Sequence, residues 1–394
     1  MSAPRSSGRE NLLHNDRRDG QDDDHCRTVE HRGCEVVLGV DTHLESHVAV
    51  ALDQLGRRLG DLSVPTTPDG YRTLVSWAVG FGSLRSVGIE GTGSYGAGLA
   101  RHLKTKGVEV LEVERPKRRH LRRGGKSDPI DAEAAARAVL SGESAGQPKS
   151  GDGKVEMIRT LRAARCSAVK SKTQAANQLR NLVVTAPDAL RERLRGLSTK
   201  VLATKAARFR PGERPSSPEE ATKFALRSIA RRYRALSEEI AQLDSQLARL
   251  VAEVAPDLLA LPAVSTNHAA TLLVVAGDNP QRLRSEASFA SLCGVAPIPA
   301  SSGKTVRYRL NRGGDRDANR ALHLICVVRM RERRTREYLA RRTAEGKSKR
   351  EIMRCLKRYV AREIYHVVVP AAAASPPTTP SPGVASSGRS AVSS

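Results

Sequence analysis

The sequence predicts a mixed α/β domain near the N-terminus, a helical middle region and a small, mainly helical C-terminal domain. Residues 36–140 alternate short β-branched runs with helix-like patterns, an order that is typical of a mixed α/β sheet. Residues 226–254 carry apolar side chains at alternating three- and four-residue steps, which indicates a helix with a narrow apolar seam. After Pro256, apolar helical patterns follow, and then two arginine-dense helices are predicted toward Arg362.

The N-terminal elements follow one another through short turns. The apolar run Val36–Val40 ends at Asp41 and predicts the first strand, and Pro68 marks the start of the first helix. Further strands are predicted at His47–Leu52, Leu59–Val64, Ser86–Glu90 and Val108–Val113, and further helices over Ala97–Lys106 and Asp128–Leu140.

Long helices dominate the middle region. A Gly-, Ser- and Lys-rich linker precedes a helix predicted over residues 155–184. The seam of the second long helix consists of Leu226, Ile229, Tyr233, Leu236, Ile240, Leu243, Leu247, Leu250 and Val254. Charged and amide side chains flank this seam, which favours a coiled coil or a helical hairpin, although a helix buried in a bundle gives the same stripe. A coiled coil would make the protein at least a homodimer.

Both ends of the chain have compositions that disfavour a packed core. Residues 1–34 are rich in Asp, Arg, Gly and Ser, and residues 370–394 consist mainly of Pro, Ala, Ser and Thr. Such segments bury too little apolar surface to offset the entropy of ordering, so we expect disorder in both. Between them we expect an α/β domain at 35–145, a helical region at 155–256 and a C-terminal domain at 257–369.

The charge of the chain indicates a polyanionic partner. Its 394 residues carry a formal net charge of +24, which a phosphate backbone would offset. Aromatic residues make up only 3% of the chain, so few rings can stack on single-stranded bases and duplex or structured nucleic acid is favoured. The scattered cysteines and the absence of a signal peptide or an apolar span from the sequence predict a cytoplasmic, nucleoid-associated protein without membrane contact.

Four carboxylates form a candidate metal site. Asp41 and Glu90 end two apolar strands, where a buried acid is costly without a cation. Asp128 and Asp131 lie three residues apart at the start of one helix and therefore share a face. Each acid also has a simpler explanation as a helix cap or a strand end. Metal-dependent phosphoryl transfer requires several carboxylates that converge on one point, because hard divalent ions prefer oxygen ligands.

These residues resemble the bacterial insertion-sequence transposases of the one-ten family, which carry a DEDD acidic tetrad and include pilin-type DNA invertases. The matching motifs are Gly39-Val40-Asp41-Thr42-His43, Ile89-Glu90-Gly91-Thr92-Gly93 and Lys126-Ser127-Asp128-Pro129-Ile130-Asp131-Ala132. Farther along the chain, Gly294-Val295-Ala296-Pro297, Ser301-Ser302-Gly303-Lys304 and Arg312-Gly313-Gly314-Asp315-Arg316 resemble the C-terminal transposase domain of that family. The resemblance spans nearly the whole predicted folded region.

The resemblance implies a RuvC-like, ribonuclease-H-like catalytic domain in which Asp41, Glu90, Asp128 and Asp131 bind Mg²⁺. It also implies that Ser302, with Ser301 as the alternative, attacks DNA as a nucleophile. A structured guide RNA would pair with donor and target DNA, and a synaptic tetramer is the family expectation. A transposase is favoured over two alternatives, a site-specific invertase or junction-resolving nuclease and a non-catalytic nucleic-acid-binding coiled-coil protein.

Two further features bear on nucleic-acid binding. Predicted phosphate contacts are Arg159 and Arg162 on the first long helix and Lys304, Arg307, Arg309, Arg312 and Arg316 around the serine loop. Solvated helix faces are the alternative explanation for the first pair. The segment Leu261–Ser265 stands where the family usually has a hairpin with two glycines, and their loss predicts less freedom for a tight turn.

Overall fold

A computed structural model describes residues 34–113, 127–143, 146–301 and 308–369 of the chain. The predicted disordered ends, apart from Cys34, lie outside these residues. So do Lys126, Ser302, Lys304 and Arg307. Within the described ranges the structure has the predicted mixed α/β N-terminal domain, helical middle and mainly helical C-terminal domain.

A five-stranded sheet forms the centre of the N-terminal domain, in the order β3-β2-β1-β4-β5. Its strands are β1 (Glu35–Thr42), β2 (Ser46–Asp53), β3 (Arg58–Pro65), β4 (Ser83–Glu90) and β5 (Glu109–Val113). The strands β1, β2 and β3 form an antiparallel meander, whereas β4 and β5 run parallel to β1. The C-terminal ends of β1 and β4 therefore meet at one edge of the sheet.

Three helices cover the two faces of this sheet: α1 (Pro68–Val79), α2 (Ala97–Thr105) and α3 (Asp128–Leu140). Leu74 of α1 and Leu99 of α2 belong to the same buried cluster as Leu38 and Val40 of β1. On the opposite face, alanines of α3 pack with Val37, Val50 and Leu52. Because β1 alternates its side chains between two covered faces, its sequence is an almost continuous apolar run.

The middle region is an antiparallel helical hairpin made by α4 (Lys154–Val184) and α7 (Pro218–Val254). Lys154 pairs with Glu253 near one end, Arg165 with Asp244 farther along, and Arg232 with Gln178 near the other end. The seam of α7 thus lies against a helix of the same chain, so the structure shows the hairpin form of the prediction. Two short helices, α5 (Asp188–Leu194) and α6 (Thr199–Ala206), close the far end with Leu226 in a shared core.

The C-terminal domain is built on the base of the hairpin. Its helices are α8 (Pro256–Ala260), α9 (Thr266–Ala276), α10 (Glu286–Leu292), α11 (Arg316–Arg329), α12 (Arg333–Ala344) and α13 (Lys349–Val368). The largest buried cluster joins Ile158 of α4 and Leu247 of α7 to Phe289 and Ile364. The sequence predicted two arginine-dense helices here, but the structure has three, because the turn before Ser348 starts a new capped helix.

A small hairpin interrupts this domain. The two-residue strands β6 (Ile298–Pro299) and β7 (Tyr308–Arg309) pair antiparallel, and the segment with the serine motif connects them. None of the helices in the described parts of the chain combines the length and the apolar character that crossing a bilayer requires.

Candidate active site

The first two acids of the site lie side by side at the edge of the sheet. In the parallel pair of β1 and β4, Val40 is opposite Ile89, so the following residues, Asp41 and Glu90, occupy neighbouring strand ends. The hydroxyl of Thr42 donates a hydrogen bond of 2.8 Å to the backbone oxygen of Glu90. This bond joins the two strands just beyond their regular pairing.

Two glycines allow α3 to approach the sheet at that edge. Gly39 of β1 is opposite Gly88 of β4. A Cβ atom on Gly39 would collide with the backbone of Ala132 and Ala136, and one on Gly88 would lie 2.6 Å from a methyl of Val139. Because the strands present no side chains here, the helix backbone contacts the sheet directly. Its first turn, with both of its aspartates, is thereby held at the strand ends.

His43 connects the strand acid with the helix acid. Its Nε2 lies 3.2 Å from Asp41 Oδ2 and 3.5 Å from Asp128 Oδ2. The structure thus places His43 against two of the four predicted acids. Its position two residues after Asp41 was the available signal, but the contact with Asp128 depends on the docking of a distant helix.

The electrostatics of Asp41 reflect the crowding of negative charge. Its side chain is 14% exposed, whereas that of Asp128 is 48% exposed. Burial raises the pKa of Asp41 above 3.8, and the nearby His43 lowers it. The charges of Asp128, Glu90 and Asp131 each raise the pKa of Asp41 further. The other three predicted acids therefore all act electrostatically on Asp41, and a nearby cation would favour its charged form.

The donor set is compatible with a divalent metal ion. One ligand atom from each of Asp41, His43 and Asp128 can be chosen so that all three lie within 4.8 Å of one another. Among the described residues this is the only such group of His, Cys, Asp or Glu side chains. Carboxylate oxygens are the ligands of hard ions, whereas imidazole is a more usual ligand of softer metals.

The predicted phosphate-binding residues fall into two groups. Arg159 pairs with Glu156, and Arg162 binds Thr271 and Asp317 with only 14% of its side chain exposed. Arg162 therefore ties α4 to the C-terminal domain. Arg309, Arg312 and Arg316 are exposed and make no ion pair with any described carboxylate. Contact of either group with nucleic acid stays a prediction.

Comparison with protein families decides the relationship. Residues 38–186 match the model of the DEDD transposase of IS110, described as a transposase. Residues 255–340 match a second model, described as the transposase IS116/IS110/IS902 family. The chain belongs to the IS110 family of transposases. A search among curated proteins finds no match to this transposase.

The two matches connect the geometry with an activity. The first begins within β1 and covers the rest of the sheet, α3 and all of α4, and thus the strand ends where the acids lie. The N-terminal domain of the transposase is accordingly a ribonuclease-H-like DEDD domain, and the protein is a DNA-cleaving enzyme that catalyses transposition. The acidic catalytic domain indicates a divalent metal ion.

Proposed function

We propose that this transposase cleaves and exchanges DNA strands with Mg²⁺ held by Asp41, Glu90, Asp128 and Asp131. The observation that carries the proposal is the meeting of β1, β4 and α3 at one edge of the sheet, where the other three acids all raise the pKa of Asp41. Mutual repulsion of this kind is relieved by a divalent cation. Bound there, Mg²⁺ would supply Lewis-acid stabilisation of the attacking and leaving oxygens.

His43 has a supporting role in this proposal. Its ring lies between the carboxylates of Asp41 and Asp128. By contacting both carboxylates, the imidazole maintains the approach of the helix acid to the strand acid.

The serine motif supplies the proposed nucleophile. The resemblance assigns this role to Ser302, with Ser301 as the alternative. Pairing of Ile298 with Arg309 and of Pro299 with Tyr308 anchors both ends of the segment that carries the motif. In the proposed step the serine oxygen bonds to the phosphorus of a phosphodiester, the bond to the leaving deoxyribose oxygen breaks, and the hydroxyl proton passes to a base.

Recognition of donor and target DNA is proposed to use a structured RNA, with a homodimer or larger homo-oligomer as the working form. Support for RNA comes from the net charge of +24 and from the family resemblance. The exposed side chains of Arg309, Arg312 and Arg316 follow the serine motif closely in the sequence. With a guide RNA, base pairing between RNA and DNA would recognise the DNA sequence.

Replacement of the acids tests the metal proposal. We expect Asp41→Asn and Asp131→Ala to abolish strand transfer and to weaken Mg²⁺ binding, measured by calorimetric titration, while circular dichroism stays that of a folded protein. Asp61→Asn is the matched control, because Asp61 lies on β3 and pairs with Arg58 outside the site. Strand transfer by either tetrad variant at the rate of the parent protein would refute the assignment.

Trapping of a covalent intermediate tests the nucleophile. Labelled DNA should become attached to a peptide modified at Ser302, and Ser302→Ala should bind DNA without forming the adduct, because only a hydroxyl is removed. Ser301→Ala should retain the adduct. A modified Ser301 would move the assignment by one residue, and cleaved DNA without attached protein would favour direct attack by a metal-activated hydroxyl.

Binding as a function of salt tests the polyanion proposal. The affinity for structured RNA and for DNA should fall steeply with salt, with a log-log slope of about 0.7 to 0.9 for each phosphate contact. Affinity that is independent of salt would contradict a role for the arginine-rich surfaces.

A further inference from the structure

A large basic cavity opens in the C-terminal domain beside the anchored ends of the serine segment. Its volume is about 830 Å³. One wall is formed by residues 294–297, a second by residues 308–311 and a third by α13 with the preceding Lys347. The first wall immediately precedes β6 in sequence, and the second contains β7. The cavity thus lies beside the described ends of the serine segment.

Cationic side chains line this cavity in excess. They are Arg309, Lys347, Arg354, Lys357, Arg358 and Arg362, and they face a single carboxylate in the lining, Glu351. The Glu351 carboxylate already accepts hydrogen bonds from the backbone N–H and the hydroxyl of Ser348 at the start of α13. It is therefore occupied in capping the helix, and the cavity is left with a surplus of positive charge.

Two of these cations, Arg354 and Arg358, use few of their hydrogen-bond donors within the described protein. Arg354 makes one long bond, 3.4 Å from Nη1 to the backbone oxygen of Tyr308, and no ion pair with a described carboxylate. Arg358 shares Glu286 with Arg362, and its Nη1 is buried without an acceptor among the described residues. An unsatisfied buried donor is costly, so an anion that reached Arg358 would relieve that cost.

Lys357 adds a buried ammonium group to the cavity wall. Its side chain is only 7% exposed, and its Nζ donates to the amide oxygen of Asn319 at 2.8 Å. Burial lowers the pKa of Lys357, and the neighbouring Arg354 charge lowers it further. An incoming anion would counteract both effects. The amide nitrogen of Asn319 in turn binds the backbone oxygens of Cys293 and Gly294, so the lysine is coupled to another wall of the cavity.

Two tyrosines give the cavity an aromatic component. Tyr308 is 56% exposed and Tyr359 is 53% exposed, and both line it. The whole chain has only seven tyrosines, so the presence of two exposed rings in a basic cavity is distinctive. An exposed ring beside phosphate-binding cations is the arrangement that stacks an unpaired base while its backbone is held.

We propose that this cavity binds an unpaired stretch of the DNA substrate, with backbone phosphates on Arg354 and Arg358 and a base stacked on Tyr308 or Tyr359. The inference rests on the proposed function, because the strand attacked by the serine must pass the ends of the segment that carries it. A phosphodiester strand accounts for both the cations and the rings, whereas an acidic peptide would account only for the cations. Strand exchange requires local unpairing of DNA, and this cavity would hold the unpaired strand beside the anchored ends of the serine segment.

Photo-crosslinking of the full-length Ser302→Ala protein tests the proposal without chemistry at the serine. The probe is a short single-stranded DNA of mixed sequence that contains 5-iodo-deoxyuridine, which forms adducts with aromatic rings. We expect peptide mapping to locate the adduct at Tyr308 or Tyr359. The Arg354→Ala/Arg358→Ala double variant should lower adduct yield by about tenfold or more, since two charge-assisted contacts are lost.

Matched controls separate this site from general charge effects. Arg350→Ala removes an exposed charge from the same helix but lies outside the cavity lining, and it should leave the yield unchanged. Tyr359→Phe should retain affinity for the probe if that ring stacks, whereas Tyr359→Ala should reduce it. These tyrosine variants change an exposed side chain, so they test the site even if the double arginine variant fails to fold.

Three outcomes would overturn the proposal. The first is a set of adducts that lie outside the cavity. The second is an adduct yield in the folded double variant equal to that of Arg350→Ala. The third is stronger labelling by a single-stranded RNA probe of the same sequence, which would assign the cavity to RNA. Failure of the serine proposal has a different signature, since the parent protein would then form no serine–DNA adduct while cavity labelling persisted in Ser302→Ala.

Discussion

His47 is a fully buried histidine on β2, next to the strand end that carries the first acid. Its ring stacks parallel to Tyr71 at 5.8 Å between centroids, and neither ring nitrogen has a hydrogen-bond partner among the described residues. Burial lowers the pKa of His47 below 6.5; the nearby backbone of Ser46 opposes this shift, and the charge of His43 adds to it. Folding therefore disfavours protonation of this ring.

This histidine should make the stability of the transposase depend on pH. The unfolded chain binds the proton more readily than the folded one, so the contribution of His47 is complete above about pH 6.5 and is lost as the pH falls below it. We expect His47→Leu to remove that part of the dependence, as measured by urea unfolding at pH 7.5 and 5. A stability difference between parent and variant that is the same at both pH values would argue against a neutral buried ring.

Ala263 is the only non-glycine residue with positive φ in the described ranges, at 61°. It lies in Leu261–Ser265, where the family resemblance leads one to expect glycines. The missing glycines predicted less backbone freedom for a tight turn, and here the backbone adopts the left-handed conformation with an alanine. Ser265 and His268 then form a capping box that starts α9.

Replacement of this alanine by glycine should stabilise the protein. A left-handed alanine costs about 1–2 kcal/mol, partly offset by the greater freedom of glycine in the unfolded chain. We therefore expect Ala263→Gly to raise the free energy of unfolding by about 0.5–1 kcal/mol. Ala241→Gly, at an exposed position within α7, should lower it by about 1 kcal/mol. Destabilisation by both changes would show that the turn is not strained.

At the scale of elements, the contact of α3 with the sheet determines where half of the acids lie. Gly39→Ala would place a methyl against the backbone of α3, and a backbone cannot move aside as a side chain can. We expect a loss of about 1–3 kcal/mol in stability, together with weaker metal binding, because Asp128 and Asp131 move with the helix.

Gly93→Ala is the control for that prediction. Gly93 follows Glu90 in the same motif region, and nothing lies within 4 Å of a Cβ atom built there. The free energy of unfolding of Gly93→Ala, measured in urea, should stay within about 0.5 kcal/mol of that of the parent protein. If Gly39→Ala were equally mild, α3 would not be seated on β1 as the structure has it.

The strands and long helices were predictable because each carries a repeating pattern over many residues. The apolar run that ends at Asp41 and the seam of α7 are examples. The short helices α5 and α6 were missed, since seven or eight residues between prolines and glycines give little periodicity. The spacing of the seam also does not show which helix packs against it. A helix of the same chain and a helix of a second copy would both fit the same apolar spacing.

The acids were predictable from strand ends and a helix start, whereas their convergence was not. It depends on Gly39 and Gly88 accepting α3, a contact between residues that are distant in the sequence. The basic cavity escaped sequence reasoning for a similar reason. Arg354 and Arg358 belong to an ordinary amphipathic helix in the sequence, and only the fold brings them to Tyr308.

At the scale of the whole molecule, residues 146–153 join the catalytic domain to the helical body through bonds on both sides. The backbone N–H of Glu112 donates to Gly146 O at 2.8 Å, and Lys104 pairs with Asp152. On the other side, the backbone N–H of Ser150 donates to the Asn279 side chain at 3.1 Å. A segment whose composition predicted a linker is therefore a hydrogen-bonded connection between domains.

Asp278, the neighbour of Asn279, lies where this connection enters α4. Its carboxylate accepts hydrogen bonds from the backbone N–H groups of Val155 and Glu156, at 2.8 and 3.1 Å. It thus caps α4, whose own N-cap residue, Gly153, has no side chain to do so. A Cβ on Gly153 would collide with Asp278, which explains the glycine at this position.

Removal of this cap should uncouple the two parts of the transposase. Asp278→Ala leaves helix donors without their acceptor and should cost about 1–2 kcal/mol. We expect calorimetry to show the α/β domain and the helical body melting in separate transitions, whereas the parent protein melts in one, because the connection between them is weakened. Asp188→Ala removes an acid of similar type from the start of α5, where it is 87% exposed and pairs only with a local arginine. That control should lower the free energy of unfolding slightly and retain a single transition. A single transition in Asp278→Ala as well would show that other residues couple the α/β domain to the helical body.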